Sequence, residues 1–228
     1  MLSEAQLARV ISVAAARNRL FMEALKSPFF PLYRALRAHL AADPIGAIGF
    51  VRAGHADASR DPATYPTYKR ELGGGGLMGI GPYPAVLALD FLGPLQSVHA
   101  VGRTGGGVDA LALVSTVHER GFAQLHTGLD LSSEGDALIS GARGHVRLHA
   151  NWWSPQRATI SYVEGGRRVE LDEPFIAGGF NYEIAHFCEL IRAGVRDSPV
   201  VSHNMSLGMA RLLEAARRQL GVEYEGDA

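Results

Sequence analysis

The chain has 228 residues, 47% hydrophobic and 20% charged, with 22 basic side chains against 23 acidic ones. That length can bury a core of one or two domains, and the near-balance of charge excludes the basic footprint of a nucleic-acid binder. A single cysteine, Cys188, excludes an intrachain disulfide framework and fits a reducing, cytoplasmic compartment. On its helix it reads as a small buried hydrophobe.

No apolar run approaches the ~20 residues that a membrane span needs. At the start, Glu4 sits where a signal peptide would carry positive charge, and Leu7, Val10, Ile11, Ala14 and Ala15 follow helical spacing. Ser3 and Gln6 form a capping box that opens an amphipathic helix over about residues 4–18. Residues 20–25, Leu-Phe-Met-Glu-Ala-Leu, are a short apolar run suited to a strand buried on both faces of a parallel sheet. A helix and one buried strand do not make a domain. They read as the last helix–strand pair of a doubly wound fold, with the strand an edge that exposes Phe21 or Met22 and invites further pairing.

Pro28 starts a second helix that runs to about residue 42, where Asp43, Pro44 and Gly46 break it. Residues 48–53 are a strand, and residues 57–69, with prolines and two tyrosines, form a long surface loop. Four glycines then stand together at Gly73–Gly76, which lets another surface approach the backbone closely. The apolar stretch after them is helical, but Pro82 and Pro84 forbid one straight rod. The spacing predicts a short first turn, a kink near Gly81–Pro84 that carries Tyr83, and a second helical piece ended by Gly93. Period-two segments follow at residues 97–101, 110–117, 122–129, 137–140, 145–149, 158–163 and 168–171, separated by glycine-rich turns. Two helices close the chain, one over 181–193 and one over 204–220 with Asn204 as its cap. The fold class is α+β: a large, mainly antiparallel open-faced sheet with helices on one face.

The residues also resemble a known family. Gly-Gly-Gly-x-Leu-Met-x-Ile-Gly-x-Tyr-Pro at residues 73–84, followed by Leu-Ala-Leu-x-Phe-Leu-Gly at 87–93, is similar to the central helix of the glucose–fructose oxidoreductase and inositol dehydrogenase family (Gfo/Idh/MocA), and within it to the dihydrodiol dehydrogenase type. Further blocks agree in order at residues 20–25, 29–31, 139–144, 152–155 and 182–194. The resemblance implies an NAD(P)-dependent oxidoreductase acting on a hydroxyl/carbonyl pair of a sugar, polyol or dihydrodiol. It also implies a homodimer formed through the sheet face. In complete family enzymes a dinucleotide-binding domain carrying a Gly-x-Gly-x-x-Gly turn comes first and ends in a Glu-Lys-Pro motif with the catalytic lysine. Residues 1–25 match the end of that domain, and residues 26–228 the substrate-binding and oligomerisation domain. This chain therefore begins just past the lysine, and NAD or NADP is not expected to bind it alone.

By the same resemblance Tyr83 is the catalytic candidate, a phenol that donates a proton during hydride transfer. The aspartate often found four residues earlier is replaced by Gly79. Lys26, His55, Arg103 and Trp153 fall at positions that line the substrate cleft. Lys26 and His55 stand where the family usually has aromatic residues, which favours a more polar, sugar-like substrate. Trp153 reads equally well as a packed aromatic under the sheet. The pairs His145/His149 and Glu183/His186 read as solvated strand and helix faces, and no metal is expected. The alternative to an enzyme is a non-catalytic dimerising partner derived from the same family.

Overall fold

The computed structural model describes residues 3–225. Its helices are α1 (Glu4–Ala16), α2 (Pro31–Ala42), α3 (Gly76–Gly79), α4 (Pro82–Leu92), α5 (Phe180–Arg192) and α6 (His203–Gln219). Its strands are β1 (Ile48–Ala56), β2 (Leu95–Gly105), β3 (Val108–His118), β4 (Gly121–Gly128), β5 (Ala137–Gly141), β6 (Gly144–Leu148), β7 (Arg157–Tyr162) and β8 (Arg168–Asp172). All eight strands join one sheet in the order β2-β3-β4-β1-β5-β6-β7-β8. Only β1 and β4 run parallel.

The period of two in the sequence sorts the sheet into two faces. Val51, Ala53, Val114, Leu125, Ile139, Val146 and Ile160 point to the covered face and are buried. That face meets α4, whose side chains are apolar nearly all round and almost all buried, as a core helix requires. Asp90 is its charged exception, and it accepts from Tyr33 Oη at 2.9 Å and pairs with Arg37 on α2. The alternate residues Val101, Leu113 and Phe122 stand on the opposite face and are exposed, with no helix over them among the described residues. The edge strand β2 is blunted by α6: Ala100 N donates to Gln219 Oε1 at 2.8 Å, and Gln219 Nε2 donates to the Val98 carbonyl at 3.0 Å. One side-chain amide thus stands in for part of a missing ladder partner.

The four glycines answer to sterics. A Cβ on Gly75, where φ is +115°, would lie 2.2 Å from Asp109 Oδ1, and one on Gly76 would lie 2.9 Å from Thr127 Oγ1. The surface that approaches them is therefore the sheet itself. Asp109, fully buried on β3, accepts from Leu77 N at 2.7 Å and from Gly76 N, and so anchors the start of α3 to the sheet. Burial raises its carboxyl pKa to about 6, against the pull of those backbone donors.

Several local expectations are corrected. Residues 20–25 form no strand. The Phe21 carbonyl lies 3.1 Å from His203 Nε2 and its ring packs on the same imidazole, so the segment runs as a strap against α6. Phe21 and Met22 are half-buried there, while Leu25 and, from α1, Leu7 are fully buried. No neighbouring strand is present to satisfy a ladder, and side-chain contacts take its place. The second helix begins at Pro31 rather than Pro28, after a 3-10 turn over Ser27–Phe29. α6 is capped by Ser202, whose Oγ accepts from Met205 N at 3.2 Å, and not by Asn204. Ser3 caps α1 through Gln6 N at 3.2 Å, as expected. Cys188 is half-exposed rather than buried. Among the described residues no single helix is long and apolar enough to cross a membrane; the apolar pair at residues 70–79 and 82–92 is bent by 43°.

Candidate functional site

The break between α3 and α4 shapes the site. Pro82 opens α4, and Tyr83 follows in its first turn, half-buried, on the wall of a cleft of about 590 Å³. A cleft of that size suits a small molecule. Lys26, His55 and Trp153 line the same cleft, so four of the five candidate residues meet in one place. Arg103 does not. It extends from the exposed end of β2 and donates to Asp130 Oδ2 at 2.7 Å, outside the lining.

Each of the four is held differently. Lys26 ends the strap, and its ammonium lies 4.6 Å from the Phe180 ring centre and 5.8 Å from that of Phe30. His55 projects from β1, which reaches three residues further than its sequence predicts, with its ring centre 3.9 Å from that of Trp153. Burial holds the His55 imidazole below its usual pKa, so it is neutral at pH 7, and its Nδ1 has no hydrogen-bond partner. The two tryptophans divide the roles foreseen for one. Both line the cleft, but Trp152 is the packed aromatic, buried with its indole N–H donating to the Gly54 carbonyl at 2.8 Å, and Trp153 is the more exposed of the two.

The phenol of Tyr83 is pushed up from its usual pKa, first by burial and then by the negative charge of Glu183. At neutral pH it is a proton donor and not a base. Gly79 lines the cleft one turn earlier, and a Cβ there would lie 2.7 Å from Thr67 Cγ2. The loop at Thr67 thus fills the space that an aspartate side chain would enter.

Sequence reasoning missed Asp57, Arg60, Thr67 and Phe180 on the cleft wall, and Glu183 behind it. The loop signal at residues 57–69 pointed toward the first three. Glu183 is not the solvated helix face that its sequence position suggests: it is buried, one helical turn beyond Phe180, with Oε2 unpartnered among the described residues and its carboxyl pKa raised by burial. His186 on the same helix lies 2.9 Å from Ser198 Oγ and packs on Phe29, so it is not a solvated face either. Among the described residues no three or more His, Cys, Asp or Glu side chains gather where a metal ion would be held.

A dinucleotide pyrophosphate does not fit the glycine run. Gly74 N donates to the Lys69 carbonyl and Gly75 N to that of Thr67, while Gly76 N and Leu77 N are taken by Asp109. An anion there would find its donors occupied and a carboxyl group beneath them.

The profile of the GFO/IDH/MocA C-terminal domain matches residues 33–147. The chain belongs to the Gfo/Idh/MocA family. It is 30% identical to the trans-1,2-dihydrobenzene-1,2-diol dehydrogenase of Xenopus tropicalis over 98% of this chain and 69% of that protein. It is 29% identical to a scyllo-inositol 2-dehydrogenase (NADP(+)) of Bacillus subtilis over 96% and 67%. Among solved structures, a 3-ketoreductase from Actinomadura kijaniata in complex with NADP and TDP-benzene superposes with a TM-score of 0.81 at 24% identity, covering 96% of this chain and 68% of that one. The likeness to the ketoreductase shows a shared fold. The chain spans about two thirds of the length of these relatives.

Proposed function

We propose that this chain is the substrate-binding part of an NAD(P)-dependent Gfo/Idh/MocA oxidoreductase acting on a hydroxyl/carbonyl pair of a sugar, polyol or dihydrodiol. The convergence of Tyr83, Lys26, His55 and Trp153 on one cleft carries this reading. Residues 1–25 are read as the end of a dinucleotide-binding domain, with 26–228 as the substrate and oligomerisation domain. In the complete enzyme the nicotinamide dinucleotide supplies or accepts the hydride. The residues of this chain bind and orient the substrate, stack on its apolar face through Trp153, and place a proton at its oxygen from Tyr83 Oη. The lone cysteine supports a cytoplasmic setting.

Residues 1–228 alone are expected neither to bind NADH or NADPH tightly nor to turn over substrate. Tight binding needs the pyrophosphate at a free helix N-terminus and the ribose on a downstream acid, and the amides of the glycine run are already occupied. Titration with each nucleotide, followed by nicotinamide fluorescence, checks this. Saturation in the low micromolar range would reveal a dinucleotide site elsewhere. The second reading, a non-catalytic partner protein, draws on Gly79 and on the raised pKa of Tyr83. It predicts no redox activity even when the complete enzyme's dinucleotide-binding portion is present.

The uncovered sheet face is the proposed dimer interface. Val101, Leu113 and Phe122 are 67%, 50% and 61% exposed there, too much apolar surface on one face to leave in water without consequence. Light scattering at micromolar concentration is expected to give a dimer, and Phe122→Glu a monomer. A wild-type chain that scatters as a monomer would remove this assignment.

A further inference from the structure

The cleft contains a cation that the protein leaves unneutralised, and this bears on the substrate. Its charged lining residues are Lys26, Asp57 and Arg60. Arg60 is matched internally: its guanidinium lies 3.5 Å from Asp57 Oδ2 and 5.0 Å from the ring centre of Tyr65. The Ser59 hydroxyl and then the Ser59 N–H, which donates to Oδ1 at 2.8 Å, hold the Asp57 carboxyl below its usual pKa, so it is a carboxylate. His55 is neutral at pH 7. That leaves Lys26. Glu183 senses it through space, but among the described residues no carboxylate oxygen comes within ion-pair distance of its ammonium. The ammonium is instead propped against the faces of Phe180 and Phe30, which orient a cation without neutralising it.

We propose that the substrate is a sugar or polyol carrying a negative group, a carboxylate or a phosphate, that pairs with Lys26 while the reacting carbinol lies at Tyr83. This rests on the functional reading above and narrows it. Lys26 and Tyr83 line the same cleft, so one molecule can meet both. An ammonium accepts either a carboxylate or a phosphate as a point charge. Neutral aromatic dihydrodiols would leave the charge unanswered and desolvated.

The test is calorimetric titration of the chain with D-glucuronate, D-glucose 6-phosphate and D-glucose at low ionic strength, repeated with Lys26→Met and Lys26→Arg. At least one anionic ligand is expected to bind roughly tenfold more tightly than glucose, a scale typical of a hydrogen bond to a charged group. The preference should vanish in Lys26→Met, survive in Lys26→Arg and weaken with added salt. Whichever anion shows it identifies the group. Equal binding of glucose and both anions, unchanged in Lys26→Met, would overturn the proposal and leave the sugar oxidoreductase reading standing. An anion preference that persists in Lys26→Met would equally overturn it, by placing the cation elsewhere. Failure of all three ligands to bind also overturns it. The wider reading is then judged separately, by NADP-dependent oxidation of neutral polyols by the complete enzyme. Unchanged thermal unfolding of the variants separates a lost contact from a lost fold.

Discussion

Replacing Tyr83 by phenylalanine is expected to lower turnover by ~10²–10⁴-fold, the usual cost of a lost positioned proton donor. The change removes one oxygen from a half-buried ring and keeps the ring that packs beside α3, so the fold survives it. Substrate affinity should change little, because Lys26, His55 and Trp153 remain on the cleft wall. The loss should therefore fall on kcat. Burial and Glu183 both keep the phenol protonated, so the wild-type rate of carbonyl reduction should be flat between about pH 7 and 9 as far as Tyr83 is concerned. On the proposed reading, the assay combines this chain with a dinucleotide-binding domain and NADPH. A Tyr83→Phe enzyme within tenfold of wild type would place the proton donor elsewhere.

The second large effect concerns stability. Asp109 has its carboxyl pKa raised to about 6 in the folded chain, against 3.8 unperturbed. The folded state therefore binds this proton more tightly than the unfolded state. The resulting stabilisation is fully present below about pH 3.8 and is lost as pH rises through about 6. Relative to Asp109→Asn, the wild-type chain should gain roughly 2.5 kcal/mol as pH falls from 7 to 3.8, most of the equivalent of about two pKa units. Taking the difference between the two proteins cancels Glu23 and Glu183, whose pKa values are also raised by burial. Urea unfolding at a series of pH values measures it. A difference that stays constant with pH would mean that Asp109 titrates normally, and that water or a donor reaches its orphan Oδ1.

Local, short-range physics was legible in the chain. The Ser3 cap, the alternation that separates Val114 and Leu125 from Leu113 and Phe122, and the proline break beside Tyr83 all depend on neighbours within a few residues. Four glycines in a row announced a close approach of some surface, though not which one. That the surface is Asp109 of β3 and Thr127 of β4 depends on strand order, which no local pattern encodes. The strap at residues 20–25 shows the same limit from the other side. Its apolar run has the composition of a buried strand, yet a strand exists only where a partner's backbone is offered, and here His203 is offered instead. Arg103 shared the expectations placed on Lys26, His55 and Trp153, and only the position of its strand at the sheet edge removed it from the cleft. Glu183 looked like any helix-surface carboxylate until packing buried it beside Phe180. Periodicity, capping and turn chemistry thus set which residues face inward on each element. Which inward-facing residues meet, and what charge each one feels, follows from the register and docking of elements far apart in the chain.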